Sequence, residues 1–183
     1  MHGTPEPSSW LLRWQQFVPA GARVLDVACG GGRHVRWLAA RGCQVTGIDR
    51  DAQVLAPLRP LAETIVADLE DGPWPCVGRQ FDAVLVTNYL WRPLFAPLMA
   101  ALAPGAALIY ETFASGNETV GRPARPEFLL RHGELLSACA GLHVVAYEEG
   151  FLREPQRFVQ RIVALRHQPS ASEPARFELA APG

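Results

Sequence analysis

Lysine is missing from this chain of 183 residues: all 17 of its basic residues are arginine, set against 18 acids, for a formal net charge of −1. A Walker-type phosphate loop, a Schiff-base aldolase or pyridoxal enzyme and a lysine-dependent RNA 2′-O-methylation site each require an amine that is not there. An excess of either charge is missing too. Acids and bases are interspersed along the chain, so there is no general electrostatic pull on nucleic acid or an anionic membrane. Long apolar runs are also lacking. The longest is interrupted at Pro104-Gly105, and Met1–Ser9 has no basic segment leading into an apolar one, so neither secretion nor a membrane span is expected and the cytoplasm is. Cysteine is scarce. Cys29, Cys43, Cys76 and Cys139 form no C-x-x-C pair and have no nearby histidine pair, which argues for buried thiols and against a disulfide framework or any metal site.

What is present is a chain with 49% apolar residues, of a length that suits one domain with one core. Residues 1–166 carry the pattern, and the proline-punctuated 167–183 is expected to be a disordered tail. Ser8–Val18 spaces Trp10, Leu11, Trp14 and Phe17 as on an amphipathic helix. Strands are predicted at Arg23–Ala28, Gln44–Ile48, Glu63–Ala67, Phe81–Thr87, Ala106–Glu111, Leu142–Glu148 and Arg157–Leu165. Helices are predicted at Gly32–Arg41, Asp51–Leu58, Trp91–Leu102 and Glu127–Ala140. The segment around Gly72-Pro73-Trp74-Pro75 is too proline-rich for a crossover helix. Ala114–Pro126 is a long loop, and long loops inside compact domains are usually functional.

Strand and helix alternate, so an α/β fold with an open, mostly parallel sheet is expected, its ligand beyond the carboxyl ends of the strands. After the first strand comes Asp26-Val27-Ala28-Cys29-Gly30-Gly31-Gly32. Gly30 and Gly32 let backbone amides approach a ligand at a helix start. Dinucleotides and S-adenosylmethionine both use such a turn. The dinucleotide pattern needs a third glycine at position 35, where this chain has Val35, and Asp26 would repel a pyrophosphate while attracting the ammonium and sulfonium of S-adenosylmethionine. Asp49 is placed for the ribose hydroxyls, a role common to both ligands. Asp68 is placed to accept from an adenine amine, with the Leu69 amide donating to the ring.

At these residues the chain resembles the class I S-adenosylmethionine-dependent methyltransferases. The resemblance lies in VLDVACGGGRHVRWLAARG (Val24–Gly42), VTGIDRD (Val45–Asp51), ADLED (Ala67–Asp71) and FDAVLVTNYL (Phe81–Leu90). In its compactness and its G-x-G-R turn it looks most like the small-molecule, tellurite-resistance-type branch. The resemblance implies a three-layer Rossmann-like fold, a seven-stranded sheet whose last strand is antiparallel, and S-adenosylmethionine as cofactor, with S-adenosylhomocysteine as product. It implies cofactor contacts at Asp26, Gly30, Gly32, Asp49, Asp68 and Asn88, to which we add Ala28, Cys29, Arg50, Ala67, Leu69 and, for the cofactor carboxylate, Arg13. Ala28 departs from the glycine many members carry. Thr87-Asn88-Tyr89-Leu90 is not the N-P-P-Y of planar-nitrogen methylation.

A sulfonium methyl is already activated, so the protein has to align a nucleophile, exclude water and remove a proton where there is one. Glu111, Tyr89 and His34 are the candidates for catalytic work. Arg122 and Arg125 on the long loop are candidates to clamp an anionic acceptor. A small-molecule acceptor is expected, with a monomer or homodimer and without nucleic acid or membrane partners. Two alternatives remain open: a regulatory module that binds the cofactor without turnover, and an RNA methyltransferase using the arginines at 153, 157, 161 and 166. A dehydrogenase with a Tyr-x-x-x-Lys pair is excluded by the absent lysine.

Overall fold

The computed structural model describes residues 6–168 and 176–179. Its strands are β1 (Arg23–Val27), β2 (Gln44–Asp49), β3 (Glu63–Val66), β4 (Phe81–Thr87), β5 (Leu102–Phe113), β6 (His143–Arg153) and β7 (Gln156–Leu165). They form one sheet in the order β3-β2-β1-β4-β5-β7-β6. β1 to β5 are parallel, and β7 runs antiparallel between β5 and β6. The seven-stranded sheet with a reversed last strand is therefore as the sequence implies. Strand order changes direction between β1 and β4, which opens a crevice at their carboxyl ends.

Both faces of the sheet are covered, which is why its central strands read as nearly continuous apolar runs. On one face Trp10, Leu11 and Trp14 of the N-terminal segment pack with Val35 and Leu38 against Val24, Val45, Leu85, Ile109 and Val163. On the other, Leu98 and Leu135 pack against Leu25, Val84, Leu108, Tyr110 and Ile162. The helices are short: α1 (Ser9–Arg13), α2 (Arg33–Ala40), α3 (Ala52–Leu55), α4 (Phe95–Ala100) and α5 (Glu134–Ala138). α1 is capped by Ser8, whose Oγ accepts from the Trp10 amide at 3.1 Å. All four cysteines are buried. Among the described residues no helix is long and apolar enough to cross a membrane.

Several predicted elements differ: β6 runs on to Arg153, the helices predicted over Asp51–Leu58 and Trp91–Leu102 are each a short α-helix and a 3₁₀ turn, and three further differences have a clear cause. The helix expected over Glu127–Ala140 shrinks to α5, because the Leu130 amide donates to Phe113 O at 3.0 Å, Ala114 and Leu130 form a parallel bridge, and Gly133 turns at φ 66°. The first helix ends at Arg13 and continues only as a 3₁₀ turn, Gln15–Phe17. Pro104-Gly105 does not break β5 from its beginning; the strand starts at Leu102, and the register with β4 slips between Phe81 and Ala83 to absorb the extra residues. The tail expected to be disordered lies mostly outside the described residues. Of its described part, Phe177 sits 4.9 Å from the His143 ring and 6.1 Å from Phe17, centroid to centroid.

Candidate functional site

β1 ends at Val27 and the chain enters α2 through Ala28–Gly32. Ala28 and Gly30 both have φ 53° and Gly32 has φ 73°, the left-handed region that side chains disfavour. At Gly32 the reason is also spatial, since a Cβ would lie 2.4 Å from Leu58 Cδ1. Among the described residues nothing lies within 4 Å of a Cβ position at Gly30 and Gly31, so the crest of the turn is open on that side. Ala28 holds the backbone state glycine would take, so the departure noted in the sequence leaves the turn's shape intact. Asp49, at the end of β2, anchors the crest: Oδ2 accepts from the Gly30 amide at 2.8 Å and Oδ1 from the Asp51 amide at 3.0 Å.

Beside this turn lies a cleft of about 310 Å³ lined by Ala28, Asp49, Arg50, Ala67, Asp68, Leu69, Glu70, Tyr89 and Phe128. Residues at or just past the carboxyl ends of β1, β2, β3 and β4, with one from the segment beyond β5, thus meet in one place. Seven of the nine are candidates from the sequence. Glu70 and Phe128 are not, although Glu70 stands inside the ADLED stretch. Phe128 is far along the chain, and the only signal for it was the length of the loop before it. Asp68 is braced by the Glu70 amide, which donates to Oδ1 at 3.0 Å. Burial, together with the carboxylates of Glu70 and Asp68, pushes the Tyr89 phenol well above its ordinary range. Tyr89 therefore stays protonated at neutral pH, a hydrogen-bond donor and not a base.

Glu111 and His34 are elsewhere. Glu111, 1% exposed, accepts from Ser8 Oγ at 3.1 Å and from Arg161 Nη1 at 3.2 Å, with Arg157 Nη2 at 3.7 Å. His34 is also buried; its Nε2 accepts from the Ser8 amide at 3.2 Å, which leaves Nδ1 to carry the proton toward Asp26 Oδ2 at 3.7 Å. Asp26, His34, Ser8, Glu111 and Arg161 thus form a buried polar seam linking β1, α2, the start of α1, β5 and β7. Arg13 does not line the cleft either: it pairs with Glu148 of β6 at 2.6 Å and stacks over Trp10 and Trp14. Cys29 is buried, its amide bonded to Ile48 O at 2.9 Å, and burial with Asp26 and Asp49 nearby pushes its thiol up, so it offers no thiolate. Asn88 turns at φ 57°, donates its amide to Glu111 O at 2.8 Å, and accepts from Arg157 at 3.4 Å. Of the loop arginines, Arg125 is engaged by Glu127 and by the Phe128 ring.

Three features fit a cationic adenosyl ligand. Among the described residues the turn's crest is open, carboxylates stand at or just past the ends of β1, β2 and β3, and Asp26 Oδ2 is buried with no hydrogen bond, facing His34 Nδ1 at 3.7 Å. A buried carboxylate oxygen without a hydrogen bond is uncommon and keeps the capacity to accept from a donor.

Residues 24–105 match the family model described as Methyltransferase domain. Over 161 residues the chain is 33% identical to a tRNA U34 carboxymethyltransferase of Alcanivorax borkumensis, an alignment covering 76% of this chain and 50% of that protein. The chain thus spans about half the length of that relative. Among solved structures, TehB from Haemophilus influenzae superposes with a TM-score of 0.70 at 19% identity, covering 91% of this chain and 62% of the other. An S-adenosylmethionine dependent methyltransferase from Mesorhizobium loti superposes with a TM-score of 0.68 at 19% identity, covering 89% and 100%. The fold expected from the sequence agrees with these neighbours.

Proposed function

We propose that this chain, a class I S-adenosylmethionine-dependent methyltransferase by its fold and its methyltransferase domain, transfers a methyl group to a small-molecule acceptor. The observation that carries the reading is the gathering of Asp49 and Asp68 in one cleft beside an open glycine crest, with buried Asp26, whose Oδ2 makes no hydrogen bond among the described residues, at the neighbouring strand end. Bound there, S-adenosylmethionine would supply a methyl group already activated by its sulfonium. Asp49 accepts from ribose hydroxyls with the lone pairs its two amide bonds leave unused. Asp68 and the Leu69 amide read the adenine edge. Asp26 receives the ammonium. Tyr89 donates a hydrogen bond at the cleft wall, and Glu111 and His34 support the site by holding the seam beneath it. Alignment and exclusion of water are the main tasks left to the protein.

A small acceptor is supported by the near-zero net charge and the interspersed acids, which give no general electrostatic pull on a polyanion. An RNA acceptor is the second reading, favoured by the similarity to a tRNA U34 carboxymethyltransferase. We place the protein in the cytoplasm as a monomer or homodimer. The test is release of S-adenosylhomocysteine across a panel of hydroxyl, thiol, amine and metalloid acceptors with unmodified tRNA alongside. Release with a small acceptor is the expected result, and release with tRNA alone transfers the assignment to the second reading. Silence across the panel with cofactor binding intact makes the chain a binding module.

A further inference from the structure

We infer that Phe128 is the wall of the cleft against which the adenine packs and that Arg92 is the positioning residue that holds it there; the inference rests on the cleft being the adenosyl site. Phe128 lines the cleft together with Asp49, Asp68 and Tyr89, yet it belongs to the long segment after β5, more than fifty residues from any of these except Tyr89. Nothing in its own neighbourhood of the chain fixes it in a helix or strand: it closes a 3₁₀ turn, Pro126–Phe128, after which Leu129 is extended.

The fixing comes from Arg92, just past β4. Its Nη1 donates to Glu127 O at 2.7 Å and its Nη2 to Leu129 O at 2.8 Å, so one guanidinium grips the backbone on both sides of Phe128. The same guanidinium is held by the carboxylate of Glu134 at the start of α5, through Nε at 2.6 Å and Nη2 at 2.9 Å. A planar fork that satisfies a bidentate carboxylate and two carbonyls at once has one orientation, which lysine could not reproduce. Arg125 stacks over the Phe128 ring at 5.3 Å from its centroid, adding a cation to the ring's environment. Phe128 is partly buried, so it presents an apolar surface to the cleft without being part of the core. An aromatic wall suits a purine, since base-on-ring stacking works for any base and needs no hydrogen bond.

The test uses two ligands measured by calorimetry on the full chain: S-adenosylhomocysteine, and 5′-deoxy-5′-methylthioadenosine, which keeps the adenosine and thioether but lacks the amino acid. The wild type is expected to bind both. Phe128→Ala is expected to weaken both by the same factor, about tenfold, and Phe128→Tyr to restore most of the loss. Arg92→Met, measured well below its melting temperature, is expected to weaken both ligands as well, and the double variant to bind no worse than Phe128→Ala alone. That lack of additivity separates positioning from loss of general stability. Wild-type binding left undiminished by Phe128→Ala overturns the inference alone, as does a loss confined to S-adenosylhomocysteine, or additive losses in the double variant. Failure of the wild type to bind either ligand overturns the underlying reading and the inference with it.

Discussion

Asp49 has two tasks before any ligand arrives, because its oxygens hold the Gly30 amide and the Asp51 amide and so fix the height of the glycine crest above β2. The sequence exposed its position and type but not this second task, which follows only from the two backbone amides meeting it. Glu111 is the opposite case. Its place at the end of a strand beside the reaction centre made it a candidate base, and the register pairs it with Thr87 and Arg161. Burial against Arg161, Arg157 and Ser8 makes it an ion-pair partner instead. Glu111→Gln should therefore cost about 1–3 kcal/mol in unfolding free energy, since the largely buried Arg157 loses its counter-charge while Arg161 keeps Glu148 at 2.9 Å. Urea denaturation checks this. A loss below about 1 kcal/mol together with abolished turnover would make Glu111 a group that acts on the substrate.

Elements were legible where periodicity was strong and obscure where tertiary contacts decided. β1, β2, β3 and β4 agree with their predicted spans to within a residue or so at each end, because alternating or continuous burial follows directly from Val, Ile and Leu spacing. The segment 127–133 is apolar enough to pass for the first turns of a helix, but Arg92 captures its carbonyls from outside, and no local pattern announces that. Glu134 shows the strength of this staple. Burial would raise its carboxyl, yet hydrogen bonds from Arg92 and the Arg131 amide hold it below the ordinary carboxylate range. A depressed folded-state pKa gives stability that is present above the unfolded value and lost as pH falls through the folded one. The melting-temperature gap between wild type and Glu134→Gln is therefore expected to be constant near neutrality and to narrow below about pH 4.5. A gap unchanged down to pH 3 would contradict this. At the glycine turn, Gly32→Ala should destabilise by about 1–3 kcal/mol through its left-handed φ and the clash with Leu58, measurable by thermal unfolding.

On the scale of the whole molecule, the sheet could be read in advance because the βαβ alternation and the right-handed crossover rule leave few arrangements of such strands. The antiparallel insertion of β7 came from the family resemblance and not from composition. What the sequence could not yield was the convergence of distant segments, such as Phe128 on the cleft or Ser8 on both Glu111 and His34. A global titration follows from the composition. The chain has three tyrosines, Tyr89, Tyr110 and Tyr147, and burial raises the phenol of each above its ordinary value of 10.0, with neighbouring carboxylates or phenols adding to it. A raised folded-state pKa contributes stability below the unfolded value that is lost as pH rises through the folded one. Tyrosinate absorbance at alkaline pH should therefore lag behind that of the unfolded chain and then appear together with unfolding. Three phenols titrating near pH 10 in a chain that is still folded would contradict the packing described.

The central claim is that the crest between β1 and α2, with Asp49 beneath it, binds the adenosyl cofactor. Calorimetric titration of S-adenosylhomocysteine into the wild type and Asp49→Ala tests it most directly. The account predicts a micromolar dissociation constant for the wild type and a loss of at least about tenfold in Asp49→Ala, because both the ribose acceptor and the anchor of Gly30 are removed. No heat of binding with the wild type, or equal affinities for the two proteins, would contradict it.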